Sequence, residues 1–188
     1  HTLGDGEGAR RAFEAALHIA QTLAAREPER ADYQRLLSVS HELMGDLLQA
    51  LGDGAGARRA FEAAMRIHQS LSAREPERAD YQRDLSVSYN RMGGLRQALG
   101  DGAGARCAFE AALHIAQTLA EREPERADYQ RDLIVSFVKL QEVTGDTSFA
   151  EKALQIAIRM SDNGTLSPSD AWMVDELRTR AGGLPDVE

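Results

Sequence analysis

The chain has 188 residues, a hydrophobic fraction of 43%, few aromatic residues and a formal net charge of -8. An acidic chain repels phosphates and anionic lipids, so neither nucleic acid nor a membrane is expected as a partner. The single cysteine, Cys107, excludes an internal disulfide and favours a cytoplasmic location, and no apolar run approaches the roughly 20 residues that cross a bilayer. The opening letters, HTLGDG, are typical of the middle of a longer chain.

Three similar copies of one segment make up most of the sequence. They cover residues 3–50, 51–98 and 99–146, and the words REPERADYQR occur unchanged in all three. A degenerate fourth unit at 147–160 and a C-terminal loop with a capping helix at 161–188 follow. Because each unit of such an array buries its apolar face against its neighbour, the repeat predicts a stack of helix pairs.

Each repeat is predicted to hold two helices. In chain order, helices are expected at about 9–26, 32–50, 55–74, 80–98, the third copy's equivalent of 55–74, 128–143, 148–160 and 168–180. Apolar residues spaced three and four apart, such as Ala57, Phe61 and Ala64, indicate one buried stripe per helix. Gly52 is expected to end one helix and Asp53 to cap the next.

The repeated residues resemble the tetratricopeptide repeat (TPR) family. The positions that carry the resemblance are Tyr89, Met92, Gly93, Ala105, Phe109, Ala112 and Pro124. The period of about 48 residues exceeds the family's 34, and two extra helical turns per helix would account for the difference. The resemblance is closest to the long-helix arrays of bacterial signalling proteins, which accompany effector domains. It implies an all-α fold, an α-solenoid of antiparallel helix pairs with about eight helices in a TPR-like superhelix.

The resemblance also implies a concave groove that holds a peptide or helix of a partner. In this family the first helix of each pair lines the groove, which assigns 32–50, 80–98 and 128–143 to it. Val39, Val87 and Val135 are expected to face the groove at equivalent places in the three helices. The other expected groove residues are Arg35, Glu42, Asp46, Gln49, Arg83, Asn90, Gln97, Arg131, Val138, Lys139 and Glu142.

No pattern in the sequence predicts a catalytic, metal-binding or cofactor-binding site. The spacing of Gly4, Gly6 and Gly8, and of their copies, matches neither a dinucleotide fingerprint nor a P-loop, so turns between helices are expected there. The segment DGAGAR has too few carboxylates for a calcium loop, and the five histidines lack ligand spacing. Cys107 has no partner base. We therefore expect that the chain is not an enzyme and binds no cofactor.

The two ends of the array differ. With no helix before it, the first helix is expected to have an uncovered flank, and so to self-associate or bind a partner chain, at Ala12, Phe13, Ala16, Ile19 and Ala20. At the other end, Ser167 and Asp170 are expected to cap a last helix in which Trp172 packs inward.

Three functions remain open at this point. The first is a non-catalytic protein-interaction module that binds an unidentified protein or peptide. The second is an assembly element that associates with its own copies, and the third is a regulatory arm of a larger bacterial protein with an effector domain elsewhere.

Overall fold

The structure is a computed structural model that describes residues 2–182, with side chains from Arg10 onward. Over these residues it contains eight α-helices, one 3₁₀ turn and no strand, which confirms the all-α prediction. The helices are α1 (Thr2–Arg26), α2 (Ala31–Ala50), α3 (Gly54–Arg74), α4 (Ala79–Ala98), α5 (Gly102–Arg122), α6 (Ala127–Thr144), α7 (Thr147–Asp162) and α8 (Trp172–Arg180). The last residues of the predicted capping segment, 183–188, lie outside the described part.

The described residues form two compact units that divide between Asp101 and Gly102. The first unit contains α1 to α4 and the second contains α5 to α8. Within each unit, every helix packs against the next one along the chain. Because the connections are short, consecutive helices run antiparallel, so each unit is a stack of helix hairpins.

Alanine and phenylalanine of the A-x-x-x-F signature form the centre of each unit's core. In the first unit, Ala57 and Phe61 of α3 pack with Met92 and Leu95 of α4. Close packing also explains Gly45, since a Cβ built there would lie 2.4 Å from the Phe61 ring. In the second unit, the equivalent core consists of Ala105, Phe109 and Leu140.

The repeated segment REPERADYQR forms the same loop and first helical turns at the start of α2, α4 and α6. In the second copy, Arg78 donates from Nε and Nη2 to the two carboxylate oxygens of Asp80, at 2.8 and 2.7 Å, and this hydrogen bonding lowers the pKa of Asp80. The same guanidinium lies 4.3 Å from the ring centroid of Tyr81, and Gln82 donates to the carbonyl of Pro76. Equivalent contacts occur in the other two copies.

The glycine-rich segments behave differently in the three copies. Gly52 and Gly100 have φ of 80° and 81°, a left-handed conformation that glycine adopts without strain, and each ends a helix as predicted. Asp53 then caps α3 by accepting a hydrogen bond from the Gly56 amide at 2.8 Å. In the first copy the prediction of a turn is wrong, because α1 already begins at Thr2 and runs through the glycines.

The C-terminal end departs from its prediction at two residues. Ser167 makes no capping hydrogen bond, and Pro168–Asp170 forms a separate 3₁₀ turn before α8 begins at Trp172. The side chain of Trp172 is 61% exposed, so its predicted packing role is wrong. Met173 and Leu177 form the buried side of α8 instead, because residues four apart share one face of a helix and Trp172, five positions before Leu177, lies off that face.

Candidate functional site

The helices assigned to the groove by resemblance, α2, α4 and α6, each present one exposed valine at the same place in the repeat. Val39, Val87 and Val135 are 42%, 38% and 39% exposed. An apolar side chain held open to solvent at every copy of a repeat is available for contact with another molecule. These valines therefore mark the candidate interaction surface in each unit, and the charged residues near them determine how much of that surface is free.

Arg35 and Asp46 lie on α2, but their charges are used within the first unit. The Arg35 guanidinium lies 2.6 Å from a carboxylate oxygen of Asp84 and 3.5 Å from one of Asp80, both on α4. The hydrogen bond to Asp84 raises the pKa of Arg35 above its ordinary value. Asp46 pairs in the same way with Arg91 of α4. Both predicted groove residues thus connect two neighbouring helices while remaining partly exposed.

Glu42 is only 7% exposed, so the expectation that its carboxylate faces an open groove is wrong. Its Oε1 accepts a hydrogen bond of 3.0 Å from Ser88 Oγ on α4, and Arg91 Nε lies 3.7 Å from its other oxygen. Burial raises the pKa of this carboxyl group. The physical reason for the error is that α2 turns this position toward α3 and α4 and not toward solvent.

His68 of α3 completes the buried cluster. Its Nδ1 lies 2.7 Å from Ser88 Oγ, and burial lowers its pKa below the ordinary 6.5. Because the Ser88 proton is directed to Glu42, His68 donates from Nδ1 to Ser88, and His68 Nε2 has no hydrogen-bond partner among the described residues. We call Glu42, His68 and Ser88 the buried polar cluster.

The cluster contains the residue types of a nucleophilic triad in a different order. In such a triad the imidazole lies between the hydroxyl and the carboxylate, so that it can take the proton of the nucleophile. Here the hydroxyl lies between the imidazole and the carboxylate. His68 and Ser88 are each 2% exposed, which leaves no path for a substrate to the Ser88 oxygen. This geometry holds three helices together and presents no exposed nucleophile.

The remaining predicted residues of the first unit are more open. Gln49 and Gln97 are exposed near the ends of α2 and α4, while Arg83 is half-buried. Asn90 is half-buried and its Oδ1 has no hydrogen-bond donor among the described residues. Together with Val39 and Val87, these side chains make up the accessible part of the predicted groove in this unit.

The second unit repeats the outer ion pairs of the first. Arg131 of α6 donates to Asp170 at 3.1 Å, and Glu142 of α6 accepts from Arg180 of α8 at 3.1 Å. Lys139 lies 3.1 Å from Glu142 on the same helix, and Val138 is half-buried. Sequence reasoning missed the partner residues, which are Asp84, Arg91, Asp170 and Arg180. Each partner carries the charge opposite to that of its groove residue, and this complementarity in the sequence could have identified the pairs.

Two open clefts lie where a hairpin loop meets the following helix. The first, of about 520 Å³, lies between Pro28, Gln34 and the side of α3 that carries Arg66 and Ile67. The second, of about 470 Å³, is formed by the equivalent loop and α7 in the second unit. Both clefts lie at the same place in the repeat and are open to solvent, so we assign them to the packing of the helices and not to a ligand site.

Neither a metal site nor a membrane-spanning helix occurs among the described residues. No group of three or more histidine, cysteine, aspartate or glutamate side chains there could hold a metal ion. No described helix is both long and apolar enough to cross a membrane. Cys107 is exposed on α5.

Comparison with known proteins supports the fold. No family model and no curated protein matches the chain. Among solved structures, the chain is similar to a de novo designed helical repeat protein, DHR81, with a TM-score of 0.64 and 16% identity over 95% of this chain and 89% of that one. It is also similar to BtubC (BKLC) from P. vanneervenii, with a TM-score of 0.54 and 18% identity over 94% and 84% of the two chains. The chain is therefore a helical-repeat protein.

Proposed function

We propose that the chain is a non-catalytic protein-interaction module of TPR type that binds a peptide or helix of a partner at the valine-bearing surface of a unit, formed by α2 and α4 in the first unit and by α6 in the second. The observation that carries the proposal is the exposed valine at the same repeat position in all three helices. Unlike the exposed leucines of the turns, Leu51 and Leu99, these valines lie along the helices that the resemblance assigns to a groove, and a binding surface uses such residues as its central contacts.

The residues around the valines support recognition of an extended or helical segment. Asn90 lies one turn from Val87 on α4, and Gln49 and Gln97 are exposed amides further along α2 and α4. Equivalent places hold chemically different side chains in successive copies, as with Asn90 and Val138. A surface that changes from repeat to repeat suits a ligand whose own sequence does not repeat. The sequence resembles bacterial signalling arrays that accompany effector domains, and a cytoplasmic regulatory arm of that kind would use this surface.

A phage-displayed random peptide library, selected on the 188-residue chain, tests the proposal. We expect enriched peptides to bind the double variant Val39→Asp with Val87→Asp at least about tenfold more weakly, because the substitutions remove central apolar contacts. Leu51→Asp, at an exposed leucine in the turn after α2, is the matched control and should leave binding unchanged. Enriched peptides that bind both variants equally would show that these valines do not form the binding surface.

A further inference from the structure

One side of α1 carries small and branched apolar residues that are open to solvent. Ala12 and Ala16 are exposed, whereas Ala60 and Ala64, their repeat equivalents in α3, are buried. Ile19 is exposed on the same helix. The flank that sequence analysis expected to be uncovered is thus open at these positions, although Ala20 is buried and Phe13 is half-buried.

The neighbouring side of α2 is also apolar. Leu36 and Leu43 are 45% and 41% exposed and lie two helical turns apart, so they face the same direction. We call the exposed apolar side of this hairpin the leading face; it consists of Ala12, Ala16, Ile19, Leu36 and Leu43.

The positions of Leu36 and Leu43 can be compared with their repeat equivalents in the next groove helix. The equivalents of Leu36 and Leu43 in α4 are Asp84 and Arg91. Asp84 pairs with Arg35 of α2, and Arg91 pairs with Asp46 of α2. These two positions therefore face the preceding groove helix, and in α4 both are charged to match it.

The second unit follows the same rule. Its groove helix α6 presents an arginine, Arg131, near its start and a carboxylate, Glu142, near its end. An acid and an arginine that follow along the chain, Asp170 and Arg180, meet them. In both units the surface offered to a following hairpin thus carries an arginine and a carboxylate.

The leading face does not fit a hairpin of this pattern. Such a hairpin would place its arginine and carboxylate against Leu36 and Leu43, where both charges would lose water without gaining a partner. A surface that covers the leading face must itself be apolar at these places. The chain offers such a surface in the leading face itself, and a two-fold arrangement brings one patch against its own copy.

We propose that the leading face binds the leading face of a second copy of this chain and forms a two-fold dimer. The inference goes beyond the proposed function, because Leu36 and Leu43 lie on a different side of α2 from the ion pairs with α4 and are not among the valines of the groove. Val39 lies within one turn of both leucines on α2, so the two proposals are separated by Val87, which lies on α4, and by Ile19, which lies on α1.

Light scattering coupled to size exclusion, over about 10 µM to 1 mM chain, tests the dimer. We expect the mass to rise to that of two chains and to stop there, since a two-fold contact uses its only surface once. The double variant Leu36→Asp with Leu43→Arg, which installs the residues of α4, should weaken the dimer at least about tenfold. Ile19→Asp, on the other helix of the face, should weaken it as well.

Leu51→Asp is again the control, because it removes an exposed leucine outside the leading face. Thermal unfolding followed by circular dichroism establishes that each variant is folded, which is expected for substitutions of exposed side chains. A wild-type chain that stays monomeric at about 1 mM would overturn the proposal. So would a dimer weakened equally by the control, or a mass that grows past two chains, which indicates head-to-tail stacking.

Discussion

The two units have the same outer ion pairs around different interiors. In both, an arginine near the start of a groove helix meets a carboxylate further along the chain, as in Arg35 with Asp84 and Arg131 with Asp170. A carboxylate near the end of that helix meets an arginine, as in Asp46 with Arg91 and Glu142 with Arg180. Because both units share these outer ion pairs, the buried residues between the pairs can be compared position by position.

Between the outer pairs, the first unit holds the buried polar cluster, whereas the second unit holds apolar side chains at the corresponding positions. Glu42 corresponds by the repeat to Val138. Ser88 lies three residues before Arg91, and Leu177 lies three residues before Arg180; both are buried. The buried histidine of α3 has no counterpart in α7, whose buried side carries Ala153, Ile156 and Ala157. The same helix arrangement therefore tolerates either a hydrogen-bonded cluster or a hydrocarbon core at this place.

The difference separates two roles of charge in the molecule. Except for the buried carboxylate of Asp170, the outer pairs are partly exposed, so they contribute little to stability and mainly favour one register of the neighbouring helices. The polar cluster is buried, where desolvation of Glu42 opposes folding and its hydrogen bonds offset that penalty only in part. We therefore expect stability to depend more strongly on the interior residues than on the outer pairs.

The largest effect is expected from the apolar interior. Leu177→Ala should destabilise the second unit by about 2–5 kcal/mol, because it removes buried methyl groups and leaves a cavity. Urea unfolding followed by circular dichroism measures the change. Trp172→Ala on the same helix is the control and should change the free energy of unfolding by less than about 0.5 kcal/mol, since that side chain is exposed. Equal losses in the two variants would contradict the assignment of the buried side of α8.

Transplanting apolar residues into the first unit tests the comparison directly. The triple variant Glu42→Val, His68→Ala and Ser88→Leu places Val138, the alanine of the other copies and Leu177 in the polar cluster. We expect unfolding in urea to require the same free energy or about 1–4 kcal/mol more, because a buried charge is removed together with its partners.

The single variant Ser88→Ala is the contrast for this experiment. It leaves Glu42 and His68 buried without the hydroxyl that joins them, and should be less stable than the wild type by about 1–3 kcal/mol. A triple variant less stable than Ser88→Ala would show that the cluster contributes net stability to the first unit.

A smaller effect is expected in the pH dependence. Burial lowers the pKa of His68 from its ordinary 6.5, and the charged groups nearest to it are Glu42 and Asp84 with Arg35. The unfolded chain therefore binds a proton more readily at this residue, and the stability linked to His68 is present above pH 6.5 and lost as the pH falls below that value. His68→Ala should reduce the fall of the melting temperature between pH 7 and about 5.

His114→Ala, at an exposed histidine, is the control and should follow the wild-type curve. Burial raises the pKa of Glu42, which acts in the opposite direction at lower pH, so its contribution is retained in both variants. Identical curves for the two variants would mean that His68 is not the group that couples folding to protonation.

Sequence reasoning could predict the helices because the repeat shows the same stripe three times, and Phe61 and Ala57 occupy the core as expected. It could not predict the partners of Arg35 or the burial of Glu42. Those depend on the spacing between helices that are not consecutive, and Glu42 meets a serine 46 positions away. Trp172 was misassigned because Met173 and Leu177, four residues apart, occupy the buried side of α8 and leave Trp172 off that side. Local pattern thus determines the elements, while contacts between distant helices determine which polar residues are exposed.

The smallest effect is expected for the outer pair of the first unit. Arg35→Ala removes a partly exposed ion pair and should destabilise by about 1 kcal/mol or less. Arg131→Ala removes the same kind of pair in the second unit, but it leaves the buried carboxylate of Asp170 without its arginine, so the loss should be larger, about 1–3 kcal/mol. Urea unfolding of both variants measures the difference. If Arg35→Ala proves the more destabilising of the two, the burial of the partner carboxylate does not control the strength of these pairs. The outer ion pairs common to both units would then have to be explained by the register of the helices alone.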